Sequence, residues 1–319
     1  MRLLLIALSM LSMVVQADSE YKEFTGSSGM INWSNGTVTA EGNGTSPAGG
    51  NPKTSGLLAC RAAIADAQRN LLEATEGVRV SSQTYVKDFT VSSDEIRTSV
   101  EGVIRGATVL DRADDGSGFC KVVLRMPMAG KLSKSVYAET FSGDEQATSF
   151  SLPRFLSGGL ISEAHAATQP EQDTWSTAYE VLSTRLTAIE KKLAIIPERT
   201  LIEHSDTMPS GLVVDARGSN FIPSLSPNIR QIRGGIIYPN TNAQGAILGS
   251  GKLVALFARD VDFAIRHPRV GDRPLVVKGL RTWGETRTEI VLGKESSGKV
   301  SALAKTDFFS AAGVIIVLD

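Results

Sequence analysis

The chain has 319 residues, of which 42% are hydrophobic and 21% charged, and its formal net charge is −1. That length suggests about two domains at roughly 100–200 residues each. The near-neutral balance gives no basic footprint for nucleic acid, and the composition is that of a folded globular chain rather than a disordered or fibrous one.

Met1–Ala17 opens with Arg2, continues through the apolar run Leu3–Val15 and closes on Val15-Gln16-Ala17 before Asp18. A positive start, a short apolar centre and a small residue at the cut are the layout of a secretory signal peptide, and the run is too short to span a bilayer comfortably. Cleavage after Ala17 is expected, which makes the protein exported and periplasmic. No cysteine lies near the cut, so no lipid can be attached there. No later stretch reaches the ~18 uninterrupted apolar residues that a spanning helix needs.

Residues 18–131 read as a first domain. Ile31–Gly42 alternates around Asn35-Gly36, the strongest short hairpin signal. A two-residue loop there sets Trp33 opposite Val38 and Ile31 opposite Ala40; a single strand with a glycine bulge is the competing reading. Gly42–Gly56 is rich in Gly, Ser, Asn and Pro, hence a loop. Leu57, Cys60, Ile64, Ala67, Leu71 and Ala74 then recur at steps of three and four, the apolar stripe of a helix with one buried face, and Gly77 is placed to end it. Alanine-rich helices can lie close against a sheet. A strand is expected over Val78–Val86, a short helix from Ser93 or Asp94 around Ile96–Val100, and strands over Val103–Asp111 and Phe119–Met128 joined by the turn Asp114–Gly118.

The chain's two cysteines are Cys60 and Cys120. Cys60 lies on the helix stripe, and Cys120 alternates with Val122, Leu124 and Met126 on the apolar face of a strand. If that strand runs under the helix the two sulfurs can meet as a disulfide; two buried thiols are the alternative.

The runs INW-NG-VTAEG and RAAIADAQRNLLEATEGVRVSSQTYVKDFTVSSDEIRTSVEGVIRGATV, the turn containing Asp-Gly and the strand VVLRMPMAG resemble the Lpp-twenty-type lipoprotein family over about Gly29–Gly130. That family includes bacterial outer-membrane lipoproteins and the flagellar outer-membrane and ring proteins FlgP and FlgT. The resemblance implies an α+β domain that builds rings or envelope-associated assemblies and carries no catalytic residues. The family's lipidated cysteine has no counterpart here.

Residues 132–199 read as a linker, Leu132–Gln169, followed by a helical connector. Trp175, Tyr179, Leu182, Leu186, Ile189, Leu193 and Ile196 fall at steps of four and three, a heptad seam capped near Asp173 and stopped by Pro197. The seam fits either packing on the chain's own domain or self-association.

Residues 200–319 read as a small mixed α+β domain. Strands are expected at Gly211–Arg217, Ile236–Tyr238, Lys252–Ala258, Pro274–Leu280, Thr288–Leu292 and Val314–Leu318, with a helix across Ser296–Phe309. A terminal VIIVL strand must be paired and covered. The fold class is therefore α+β: one long helix on a small, mostly antiparallel sheet, a helical connector, and a mixed C-terminal domain.

The sequence offers little for chemistry. Gly245–Leu253 places five residues between Gly245 and Gly251, and Leu253 stands where a phosphate loop needs a hydroxyl, so a glycine turn leading into a strand is the better reading. His165, His204 and His267 read as loop or surface residues, with no nucleophile elbow to serve. Asp260 and Asp262 lack the spacing of a calcium loop and read as a solvated strand end. Glu101, Asp111, Asp114 and Asp115 surround a turn and read as solvated. No catalytic, cofactor-binding or metal site is expected.

The sequence thus points to a non-catalytic envelope protein with a structural or assembly role in the periplasm or at the outer membrane. The expected partners are further copies of itself and other envelope or flagellar basal-body proteins, with peripheral contact to the outer membrane and none to nucleic acid. A periplasmic binding module for peptidoglycan or a small envelope ligand is the alternative, and an exported hydrolase a distant third.

Overall fold

The structure is a computed structural model and describes residues 19–47, 51–143, 208–311 and 313–319. The expected signal peptide, the seam Trp175–Ile196, His165 and His204 lie outside the described residues. Those on either side of that central gap, up to Gly143 and from Pro209 onward, belong to one compact unit. Among the described residues it is a mixed α+β fold with two sheets and eight helices.

The first sheet is antiparallel, in the order β1-β2-β3-β5-β4. Its strands are β1 (Lys22–Thr25), β2 (Gly29–Asn32), β3 (Thr37–Thr45), β4 (Thr108–Asp114) and β5 (Phe119–Pro127). Alternate residues of β3 and β5 are buried, so one face carries the core and the other stays wet. Helix α1 (Pro52–Glu76) lies across the buried face, chiefly over β3 and β5. The approach is very close: a Cβ at Gly42 would collide with backbone atoms of Ala63 and Ala67, and one at Gly44 with those of Ala59 and Ala63. Small residues on both sides let a helix backbone sit on a strand. Cys60 and Cys120 are joined by a disulfide across this interface.

The β2–β3 connection differs from the expected hairpin. Ile31 pairs with Val38 and Gly29 with Ala40, leaving Trp33–Gly36 as a four-residue loop. The cause is local: the Asn32 side-chain oxygen accepts the amides of Ser34 and Asn35, at 3.1 and 3.0 Å, which turns the chain before Asn35-Gly36 is reached. The shift is by two residues, so Ile31, Val38 and Ala40 keep the same buried face.

Three further expectations fail in this half. Val78–Val86 is not a strand: only Arg79 and Tyr85 form an isolated bridge, and Val86 begins helix α2 (Val86–Ser92). Val80 turns back on Thr84 across Ser81–Gln83, residues that favour turns over ladders. Helix α3 (Asp94–Arg105), capped by Ser93, runs through Val103, where the alternation suggests a strand. Its stripe Ile96, Val100, Ile104 is buried, and that period continues past the apparent strand start. Finally, the start of the expected linker is helix α4 (Lys131–Gly143), with Leu132, Val136 and Tyr137 fully buried.

The second sheet has the order β8-β7-β11-β10-β6-β12-β9. Its strands are β6 (Gly211–Asp215), β7 (Asn228–Gln231), β8 (Ile236–Tyr238), β9 (Leu256–Ala258), β10 (Leu275–Trp283), β11 (Thr286–Leu292) and β12 (Gly313–Val317). β10, β6, β12 and β9 run parallel, and every residue of β12 is buried between β6 and β9. Helices α5 (Thr241–Ser250), α6 (Val261–Arg266), α7 (Lys294–Ala304) and α8 (Phe308–Ala311) complete this half. α5 replaces the expected glycine turn at Gly245–Leu253. Asn240 caps it by accepting the Ala243 amide, and Gly251 ends it at φ +71°, the left-handed conformation a Cβ penalises.

The two sheets are joined through main-chain hydrogen bonds. Phe257 N–H donates to the Trp33 carbonyl at 3.2 Å and Arg259 N–H to that of Ser19 at 3.0 Å, while Glu20 bridges Ala258. On the other side of the junction, Leu225 and Ser226 donate to Arg79 and Val80, both at 2.9 Å, and Gly130 donates to Gly251 at 2.8 Å. Trp33 leaves its strand to fill this junction, edge-on to Phe257 with ring centroids 5.7 Å apart.

Candidate functional site

The residues with most chemical potential gather where β6, β9 and β12 end. β6 runs into Asp215 and Arg217, β9 into Arg259 and Asp260, and β12 into Asp319. Open sheets present ligands beyond such carboxyl ends, so this is where a site is to be looked for. The charges are already committed to one another. Arg217 donates to both carboxylate oxygens of Asp215, at 2.8 and 3.0 Å, and holds that carboxyl below its usual range. Gly218 N–H donates to the Asp319 side chain at 2.9 Å, and Arg259 to the Asp319 carbonyl at 2.9 Å. Arg259 also stacks over the Tyr21 ring at 4.7 Å.

Beside this end lies a cleft of about 540 Å³ lined by Ser19, Asp260, Asp262, Arg266 and His267 among others. It brings a serine, two acids and a histidine together, the composition of a hydrolytic triad. The hydrogen bonding says otherwise. His267 Nδ1 accepts the Arg269 amide at 3.1 Å, so the neutral ring carries its proton on Nε2 and offers no lone pair to a serine. Burial first, then the Arg269 charge, lowers the pKa of His267 and keeps it neutral. Asp260, read as a solvated strand end, caps α6 by accepting the Phe263 amide at 2.8 Å.

Among the described residues, no group of three or more His, Cys, Asp or Glu side chains is placed to hold a metal. None of their helices is long and apolar enough to cross a membrane.

The residues that tie the molecule together do not stand out in the sequence. Tyr137 on α4 donates to the Leu225 carbonyl at 2.8 Å and accepts the Val254 amide at 3.3 Å. Ser133, one turn earlier, donates to the Gly251 carbonyl at 2.7 Å, and Arg79 to that of Pro223 at 2.7 Å. The signal for α4 was present in Leu132, Val136, Tyr137 and Phe141, whose steps of four place Tyr137 and Phe141 in a stack 5.2 Å apart.

The class defined by this geometry is a two-sheet α+β protein braced internally by its polar groups. Residues 211–319, which hold all seven strands of the second sheet, match a family model described as the second domain of Treponema pallidum Tp0624. No curated protein matches the chain.

Proposed function

We propose that this is a non-catalytic exported protein of the cell envelope, with a structural or assembly role in the periplasm or at the outer membrane and a place in the flagellar basal body. The observation that carries the reading is the Cys60–Cys120 disulfide, a bond that persists in oxidising compartments and accords with the secretory leader. The bracing between the two sheets supports a structural role, because its polar groups are spent on holding them together. The resemblance of Gly29–Gly130 to envelope and flagellar-ring domains points the same way. Deletion of the gene is expected to impair motility or envelope integrity, with the protein found in the periplasmic or outer-membrane fraction. Unchanged motility and envelope integrity would count against the reading.

The cleft beside α6 favours a second reading, a binding module for peptidoglycan fragments or a small envelope ligand. Stabilisation by muropeptides in a thermal-shift assay, lost in Arg266→Ala, is its test.

A further inference from the structure

We propose that the outer edge of β4 is a self-association surface on which a second copy of this chain adds its own β4, antiparallel, across a two-fold axis at Ala113. The inference rests on the assembly reading above and supplies it with an interface.

β4 ends the first sheet, and all seven of its residues are exposed. Such an edge offers a row of unpaired main-chain groups to another strand. Which groups point outward follows from two bonds. Asp115 N–H donates to Phe119 O at 3.3 Å, so its amide faces inward, and by alternation those of Ala113 and Asp111 do the same. Arg112 N–H instead donates to its neighbour's Asp111 Oδ1 at 2.9 Å. Arg112 and Asp114 therefore present the outward amides and carbonyls.

Charge selects the register. A two-fold axis normal to the sheet pairs residues of equal parity. An axis at Asp111 sets Asp111 against its own copy, and one at Arg112 sets two guanidinium groups together; like charges directly opposite are destabilising. An axis at Leu110 forms no pair of opposite charges. At Ala113, Arg112 meets Asp114 of the second copy twice, each an outward-facing pair able to exchange two main-chain hydrogen bonds. The same axis sets Asp111 opposite Asp115, but the Asp115 carboxylate is folded into its own turn, where it accepts the Ser117 amide and hydroxyl and the Phe119 amide.

The same axis explains an apolar residue left in water. Leu57 belongs to the stripe of Cys60 and Ile64 yet is 52% exposed, and Leu58 is 42% exposed. Gly56 packs on the Asp114 carboxylate and Arg112 on Cys60, so this end of α1 sits where the sheet runs out. A second β4 continues the sheet there, and the axis brings the two Leu57–Leu58 turns to one place. In the single chain the Asp111 carboxylate covers the Arg112 amide, an edge guard that must move aside for pairing.

The test uses the full mature chain. At the axis, two Ala113 residues form a non-hydrogen-bonded pair about 4.5 Å apart, within disulfide range. Oxidised Ala113→Cys is expected to form a covalent dimer and Leu110→Cys to form none. In sedimentation velocity, Arg112→Asp is expected to be monomeric, Arg112→Asp with Asp114→Arg to recover the dimer, and Asp111→Ala to dimerise at lower concentration. Natively folded Ala113→Cys that stays monomeric on oxidation overturns the interface, as does equal cross-linking of Leu110→Cys. Self-association that ignores the charge swap also overturns it but leaves the assembly reading intact, because that reading is decided by the deletion phenotype.

Discussion

The hydroxyl of Tyr137 reaches the carbonyl of Leu225 at 2.8 Å, and both groups are buried. One side chain on α4 thereby closes a carbonyl in the loop before β7, and the same oxygen takes the Val254 amide from the segment before β9. Tyr137→Phe removes the oxygen and leaves a buried carbonyl and amide without partners. The expected loss is about 1–3 kcal/mol per orphaned group, in a single transition if the two sheets unfold together. Urea denaturation followed by far-UV circular dichroism reads this, and an unchanged midpoint would mean the hydroxyl adds nothing.

Alkaline pH probes the same junction. Burial raises the pKa of Tyr137 and of Tyr238, whose hydroxyl donates to the Val254 carbonyl. The folded state then holds both protons more tightly than the unfolded chain, whose tyrosines titrate near 10. This contribution is complete below about pH 10 and falls as pH rises further. Tyr238→Phe should flatten the decline of unfolding free energy above that pH; a parallel decline would assign the effect to other groups.

Reduction of the Cys60–Cys120 bond frees a loop spanning 60 residues. Loss of about 2–4 kcal/mol is expected in dithiothreitol or in the Cys60→Ala, Cys120→Ala double variant. If the oxidised protein and the double variant unfold at the same denaturant concentration, the bond does not restrain the chain.

Close approach of α1 gives the sharpest steric prediction. Gly44→Val forces two methyl groups and a Cβ against the backbone at Ala59 and Ala63. Overpacking of this kind typically costs about 1–3 kcal/mol, and here helix backbone rather than a pliant side chain must yield. Gly102→Ala, a helical glycine with open space around it, is the control and should be neutral or mildly stabilising in the same melt.

How far the sequence revealed these features depends on whether a segment's own pattern decides its structure. α1 and β5 were legible because periods of 3.6 and 2 dominate them, and their apolar faces set Cys60 and Cys120 where either a disulfide or two buried thiols could sit; the structure has the disulfide. The β2–β3 register was lost to the Asn32 side chain, a single competing acceptor three residues before the expected turn. α4 was hidden by its Ser and Thr content, which reads as linker until its buried stripe is counted. The tie between Tyr137, Leu225 and Val254 had no local signature, since its partners are main-chain groups 88 and 117 residues away. The β4 edge was legible as a strand but not as an edge, a property of sheet order alone.

The carbonyl of Trp33 waits for the amide of Phe257, 224 residues further along the chain. The first sheet can therefore collapse early, yet its junction stays uncapped until the last third of the protein has been delivered. Contacts of such long range slow folding and keep partly built chains exposed. Under the export proposed above, with the N-terminus crossing first, this seam stays unfinished for most of the passage, and a holding factor would have to cover it until Phe257 arrives.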